Sequence, residues 1–559
     1  MKIRSIFAAT LAALMLGSAA DTQACTNILV THGASKNGSA MISYSADSHV
    51  LYGELYHTPA GKFAPGTLLP VYEWDSGRFL GNIAQIAETY STMGNMNEHG
   101  LIIGESTFGG HRELIDRDGG IDYGSLIYIT LQRAKTAREA IKVMADLVAE
   151  YGYCSSGESF SIADKTEVWY MEMIGKGVKM VNGKNANKGA VWMAVRVPDG
   201  TITAHANQAR LRNITKNDPN NCVYAPDVIS FAREMGYFNG KDEDFVFCNA
   251  YNPLDFSGMR GCDARVWSAF NMYSDDMDKY LDYAMGHNQH NPMPIWITPN
   301  RKLDVHDVAK IMRDHYEGTP MDMRNDIGAG GHGLPYRWRP MNFEVDGTTY
   351  VNERAIATQQ SGFWFVGEVR PSMPDMLSGV NWFGVDDAGT SCLTPIYSCS
   401  NRVPECFAVG NGDMITYSPT SAFWLFNRVT NWAYLRYDMM EKDILKVADK
   451  FISDSMEEVL AVDAAAKMLY DRDPERARAY VTNYSLQTAQ NMFDIWNDLD
   501  KYLLIKYIDG NVKKEDENGF QSTGQGRGIP SPEFPGYNEK WKRAVAEDHG
   551  ETLKVWPVE

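Results

Sequence analysis

One cysteine stands where chemistry could begin. In DTQACTNILV, residues 21–30, a short polar stretch ends at Ala24 and Cys25 opens an alternating, β-branched run. A cysteine in that place can be a lipid attachment point, half of a disulfide, a buried thiol or a nucleophile. Upstream, Lys2 and Arg4 precede an apolar run over residues 6–20, and small residues follow. This is the layout of an export signal, with cleavage expected after Ala20 or after Ala24. Thr22 stands three residues before the cysteine, where a lipoprotein signal places an aliphatic residue, which argues against lipidation. Removal of residues 1–24 leaves Cys25 with a thiol and a free α-amine. Such an amine has a pKa of about 7.7–8.0, so part of it is neutral near pH 7. It can take the thiol proton directly or through one water. One residue then supplies nucleophile and base, and no histidine partner is required.

Other motifs carry less. GAGGHG at residues 328–333 matches G-x-G-x-x-G, but it follows polar sequence and runs into Pro335 and Pro340. A dinucleotide loop must follow a strand and open a helix, so this segment is expected to be a loop. His287 and His290 form an HxxH in a polar segment without a third ligand. Neither H-E-x-x-H nor G-x-S-x-G occurs, which removes the simplest zinc-peptidase and serine-hydrolase readings. Cys392, Cys399 and Cys406 are spaced by seven. Zinc pairs favour two to four intervening residues, so a loop disulfide or buried thiols are expected instead. No metal or organic cofactor is implied.

The chain has 559 residues, a net charge of −18 and a pI near 5.2. No lysine- or arginine-rich stripe accompanies that acidity, which disfavours nucleic acid and anionic membrane as partners. No run after the leader reaches about 18 apolar residues, so no integral membrane segment is expected in the mature protein. The expected location is outside the cytoplasm: periplasmic, cell-surface or secreted. Homo-oligomerisation stays open.

The elements that must hold Cys25 read as strands. CTNILVTH, SAMISYSA, GLIIGEST, GESFSIAD, TEVWYMEMIG, AVWMAVRV and GTITAHAN are short β runs separated by Gly, Asn and Asp. Residues 125–152 have helical spacing, and Asp304 caps a second helix at 304–318. Strands return over about 350–410, and residues 421–508 carry long helical patterns. Strand clusters broken by amphipathic helices predict an α+β fold in layers. Four regions result: 1–24 as signal or pro-segment, 25–415 as the core, 416–508 as helices packed on it, and 509–559 as an extended or partly mobile tail.

Taken together, several segments resemble the secreted cysteine dipeptidases of the N-terminal-nucleophile (Ntn) hydrolases. They are ACTNILV, MISYSADS, MNEHGLIIGES, AVRVPDGTITAHANQAR, ARVW at residues 264–267 and GLPYRWRP. The resemblance continues through VRPSMPDMLSGVNWFG, LTPIYS and SAFWLFNRVTNWAYLRYDMM, to about residue 450. Choloylglycine hydrolases and penicillin V acylases are relatives of that family. The resemblance implies a four-layer αββα sandwich with an added helical C-terminal region, and small peptides as substrates. It implies Cys25 as nucleophile and Asp47 as the acid that holds its amine or thiol. It implies Asn207 as oxyanion donor, with a backbone N–H near Ser106 as the second, and Arg265 as a buried brace. Glu105 and Tyr44 are further oxyanion or substrate candidates. One departure stands out. The family carries Arg three residues before the acid and Glu directly before it, where this chain has Tyr44 and Ala46. Two alternatives remain at this point: an Ntn amidase acting on a conjugated bile acid, an N-acyl amino acid or a penicillin V type substrate, and a non-catalytic surface lipoprotein.

Overall fold

A computed structural model describes residues 25–525 and 528–557. The expected signal at residues 1–24 lies outside the described residues. Along the chain the principal elements are β1 (Thr26–Val30), β2 (Ala40–Asp47), β3 (Ile102–Gly109), α1 (Tyr123–Leu131), α2 (Ala137–Tyr151), β4 (Gly157–Ala163), β5 (Val168–Gly175), β6 (Ala190–Arg196), β7 (Ile202–His205) and β8 (Cys222–Tyr224). There follow α3 (Ala264–Asn271), β9 (Trp296–Ile297), α4 (Val305–Met312), β10 (Ser361–Val369), β11 (Gly379–Val385), β12 (Thr394–Tyr397), α5 (Ala422–Leu435), α6 (Tyr437–Tyr470) and α7 (Pro474–Tyr507). Helices and strands are mixed, as an α+β fold requires.

Two antiparallel sheets organise these elements. One has seven strands in the order β9-β7-β1-β2-β10-β11-β12. The other has eight: β8-β6-β5-β4-β3, then three two-residue strands at Met96–Asn97, Thr92–Met93 and His57–Thr58. The sheets touch through β1 and β2 on one side and β3 and β4 on the other. Gly104 makes that approach possible: a Cβ there would meet Asn27 Oδ1 at 2.5 Å and Ile42 Cγ2 at 3.3 Å. Helices α1 and α2 cover the eight-stranded sheet, with Leu101, Ile103, Phe160, Ile162, Trp169 and Met171 in their shared core. Helices α4, α5, α6 and α7 pack on the seven-stranded sheet.

The strands fall where period-two alternation and β-branching put them. β1 and β2 are buried along their whole length. Such strands need apolar side chains on one face and satisfied polar ones on the other. The helical pattern over 125–152 is two helices, not one. Thr136 starts the second with a capping box, accepting from the Glu139 backbone N–H while Glu139 reaches back. Asp304 caps α4 in the same way, with Asp307 as its partner. In the C-terminal part, Arg370 pairs with buried Asp463 of α6, and Tyr397 donates to the same carboxylate at 2.6 Å. These contacts clamp α6 to β10 and β12.

The last segment differs from the extended tail expected. It contains a helix at Glu539–Leu553, capped by Asn538. The N–H of Asn538 donates to the Gly331 carbonyl at 3.0 Å, and Tyr537 lies where a Cβ on Gly331 would sit. The glycine-rich GAGGHG segment is therefore a short turn occupied by the tail. All eight cysteines are free thiols, and Cys392, Cys399 and Cys406 are buried in the core.

Candidate active site

Cys25 precedes β1, which lies between β7 and β2 in its sheet. The residue is 1% exposed. Its Sγ lies 3.7 Å from the Tyr44 hydroxyl and 3.6 Å from Glu105 Oε1. Burial pushes the thiol well above its ordinary pKa, and the charges of Glu105 and Asp47 push the same way. The Asp47 main-chain N–H and the Tyr44 hydroxyl act against this by hydrogen-bonding to the sulfur. The resting thiol therefore keeps its proton and needs a base to become a nucleophile.

Arg265 grips this end of the strand. It is the second residue of α3, fully buried, just after a π-helical stretch at Gly258–Asp263. Its Nη1 donates to the Cys25 carbonyl at 2.8 Å and to Thr26 Oγ1 at 2.9 Å. Its Nη2 donates to the Ala206 carbonyl at 3.0 Å and to Asn207 Oδ1 at 2.9 Å. One guanidinium thus ties the cysteine to the segment that follows β7. Five fixed N–H donors suit it to this task where lysine would not serve.

Asn207 holds a left-handed backbone, φ 62°. Asparagine tolerates that region better than most residues, and strained backbone of this kind gathers at functional sites. Its N–H faces Ser106 Oγ at 3.3 Å and its Nδ2 donates to the Thr107 carbonyl at 2.7 Å. Asn207 and Ser106 are therefore brought together. Ser106 Oγ also meets His205 Nδ1 at 2.6 Å, and His205 Nε2 meets Ser161 Oγ at 2.7 Å. Burial pushes His205 down to about 3, helped by the Arg210 charge, so the imidazole is neutral and serves as a fixed spacer.

Asp47 ends β2 at a bulge opposite Ser361. Its carboxylate accepts from Ser361 Oγ at 2.5 Å, from Ser45 Oγ at 3.2 Å and from the Arg354 guanidinium. The ion pair to Arg354 is buried on both sides. Asp47 is thereby held in place by three partners.

Tyr44 donates to Glu105 Oε1 at 2.5 Å. Tyr44, which stands where the resemblance implies an arginine, is thus a neutral donor to Glu105. Glu105 is itself fully buried and pushed up to about 7 by desolvation. Close to it lies Glu158, also buried, whose Oε1 accepts from Thr107 Oγ1 at 2.7 Å. Glu158, Arg354 and His205 were not among the residues expected from the sequence. For His205 the signal was at hand, since it directly precedes Ala206 and Asn207 in the quoted HANQAR segment. Glu158 and Arg354 come from strands and loops far along the chain, and only the fold brings them in.

A narrow cavity of 20 Å³ is lined by Tyr44 and Glu105, the two side chains that meet the thiol, and by Asp47, Asp75, Tyr123 and Phe363 among others. No cluster of three or more His, Cys, Asp or Glu residues suited to a metal occurs among the described residues. No helix among the described residues is long and apolar enough to cross a membrane.

Comparison with known proteins fits this geometry. The model of Peptidase family C69 matches residues 72–450. That span takes in Glu105, Asn207 and Arg265 and begins after Cys25 and Asp47. A probable dipeptidase from Salmonella dublin is 24% identical over 401 residues, 67% of this chain and 81% of that protein. One from Latilactobacillus sakei is 24% identical over 405 residues, 69% of this chain and 76% of that protein. Dipeptidase A of Lactobacillus helveticus is 22% identical over 314 residues, 56% of this chain and 57% of that protein. The matched span covers well over half of the chain and contains the arginine brace, the left-handed asparagine and the buried glutamate, so the chain belongs to Peptidase family C69 and is a cysteine-peptidase hydrolase.

Proposed function

We propose that the protein is an exported dipeptidase of the Ntn type, acting on dipeptides or short peptides with Cys25 as the N-terminal nucleophile. The observation that carries this reading is the setting of Cys25. A buried, protonated thiol precedes β1, its carbonyl is held by Arg265, and among the described residues its sulfur meets the side chains of Tyr44 and Glu105 rather than an imidazole. Release of residues 1–24 supplies the missing base as the α-amine of the same residue. The two facing sheets with helices on both outer sides support the αββα reading of the fold. The leader-like composition of residues 1–24 supports export.

In this mechanism the amine takes the thiol proton as sulfur attacks the scissile carbonyl carbon. The tetrahedral oxyanion is met by Asn207 and a backbone N–H near Ser106. Its collapse breaks the C–N bond, and the ammonium returns the proton to the leaving amine. A thioester remains. Water, deprotonated by the same amine, attacks it, releases the acyl product and restores the thiol. The precursor is inert because its Cys25 nitrogen is an amide with no basic lone pair.

The dipeptidase names of the relatives support small peptides as substrates. Incubating the chain begun at residue 25 with a panel of unblocked dipeptides tests the proposal. Hydrolysis that disappears in Cys25→Ala is the expected result. Full activity in that variant, or in the unprocessed precursor, would overturn it.

A further inference from the structure

The surroundings of Cys25 hold more negative groups than the chemistry of bond cleavage uses. Asp47 is neutralised by Arg354. Glu105 has no such partner: its Oε1 receives the Tyr44 hydroxyl and the Cys25 thiol, both neutral donors. Its Oε2 is buried and receives no donor from an amide, hydroxyl or cation, and the same holds for Glu158 Oε2. The two carboxyl groups come from adjacent antiparallel strands. Glu105 lies opposite Phe160 and Thr107 lies opposite Glu158, so the acids are diagonal neighbours on one face of the sheet. Each is a hydrogen-bonding partner of the other.

Two buried carboxyls in contact cannot both ionise without a cation. One of them therefore keeps a proton and donates it to the other. Burial raises both, and Glu158 is raised further by the charge of Glu105, so the proton resides on Glu158 and the charge on Glu105. A carboxylate has room for about four donors, and Glu105, which lines the small cavity, has an Oε2 that takes none from an amide, hydroxyl or cation.

We infer that Glu105, with Glu158 holding its shared proton, is the receptor for the free α-ammonium of the substrate's first residue. Geometry supports the assignment. In a peptide attacked at its first carbonyl, the α-nitrogen is two bonds from the carbon that sulfur attacks. With the attacked carbon about 3–3.5 Å from the sulfur in the near-attack position, that nitrogen lies within about 6 Å of the sulfur. Glu105 Oε1 is 3.6 Å from Sγ, within reach of that nitrogen. The substrate's ammonium would give Glu105 a cationic partner of its own, and an acylated nitrogen would bring neither charge nor three donors to it. Glu105 is thus a specificity residue, and Glu158 a positioning residue that acts through it. The inference rests on the peptidase reading for its substrate and extends it to the exclusion of blocked peptides.

The sign of the pH effect follows. Below about 7 Glu105 takes up a proton and stops attracting the ammonium, so KM for free dipeptides rises as pH falls through that value. KM for an N-acetylated dipeptide, where cleavage is measurable, stays flat over the same range.

The test measures binding apart from turnover. In the chain begun at residue 25 and carrying Cys25→Ala, calorimetry compares an unblocked dipeptide with its N-acetyl counterpart. The unblocked form should bind at least about 100-fold tighter, because a hydrogen-bonded buried charge that loses its partner costs on that scale. Glu105→Gln should abolish the preference. Glu158→Gln, whose amide can still donate to Glu105, should keep it to within about 10-fold, since a charged acceptor remains with a neutral donor behind it. An unchanged preference in Glu105→Gln, or equal binding of both ligands before any substitution, would overturn the inference. Hydrolysis by the Cys25 chain is read separately. Ammonium-dependent binding without turnover would sink the peptidase reading alone, and turnover with binding indifferent to Glu105 would sink this inference alone.

Discussion

Ile103 and Glu105 lie on the same face of β3, one strand repeat apart, in unlike surroundings. Ile103 is completely buried among Leu126, Ile127, Phe160 and Ile162, where α1 and α2 cover the sheet. Glu105 is as deeply buried, but its neighbours are Tyr44, Cys25 and Glu158. At Ile103 every contact favours the folded state. At Glu105 the protein keeps a desolvated acid next to a second acid, an arrangement that opposes folding as soon as either ionises. One end of the face provides stability and the other holds chemistry that stability alone would not retain.

The sharpest way to separate the two ends is Cys25→Ala. It should lower hydrolysis of dipeptides by at least about 10⁴-fold, the scale seen when a covalent nucleophile is removed. Thermal unfolding should be unmoved to within a few degrees, since one sulfur atom is lost. The converse substitution is Ile103→Ala. It removes a fully buried side chain and should cost about 2–5 kcal/mol in denaturant unfolding, with kcat per folded molecule unchanged. A large fall in kcat at matched folded fraction would show that the two ends are not separable.

Between the sheets, Gly104→Ala places a Cβ 2.5 Å from Asn27 Oδ1. Overpacking at such a contact costs about 1–3 kcal/mol. Because Asn27 Nδ2 donates to the Glu105 carbonyl, activity should fall along with stability, and an assay beside a melting curve checks both. Smaller again is Tyr44→Phe, which deletes the hydroxyl between sulfur and Glu105. A hydrogen bond to a charged group is worth about 1.5–3 kcal/mol, so kcat/KM should fall by about 10- to 100-fold.

The acid end also has a signature in stability against pH. Glu105 is raised from an ordinary 4.5 to about 7 in the folded protein. The folded state therefore holds more protons than the unfolded state between those values. Stability is fully present below about 4.5 and is lost as pH rises towards 7. Unfolding followed at a series of pH values should show this slope in the wild type and a shallower one in Glu105→Gln. Equal slopes would place the buried charge elsewhere.

Much of this was legible in the chain. Strand alternation located β1 to β7, and Asp304 marked the start of α4, because period and capping are local properties. The single helix expected over 125–152 is divided because Thr136 and Glu139 form a capping box inside an otherwise helical pattern. The tail was expected to be extended because it is rich in Gly, Pro and charge, yet Asn538 caps a helix that docks on the turn at Gly331. Among the site residues, Cys25, Tyr44, Asp47, Glu105, Ser106, Asn207 and Arg265 were named from motifs. Glu158 was not, since an acid in a strand reads as a solvent-facing residue until its neighbour is known.

The sequence by itself determined that a cysteine preceded by a leader-like segment begins a strand, and which polar residues recur near it in family-like motifs. Those are matters of residue type and spacing. The tertiary structure alone decided that Arg265 would span 240 positions to hold the Cys25 carbonyl, that Arg354 would neutralise Asp47, and that Glu105 would meet another acid in place of a base. The physical reason is that charge pairing and desolvation depend on distances through space. Such distances are set only when the two sheets close on each other at Gly104.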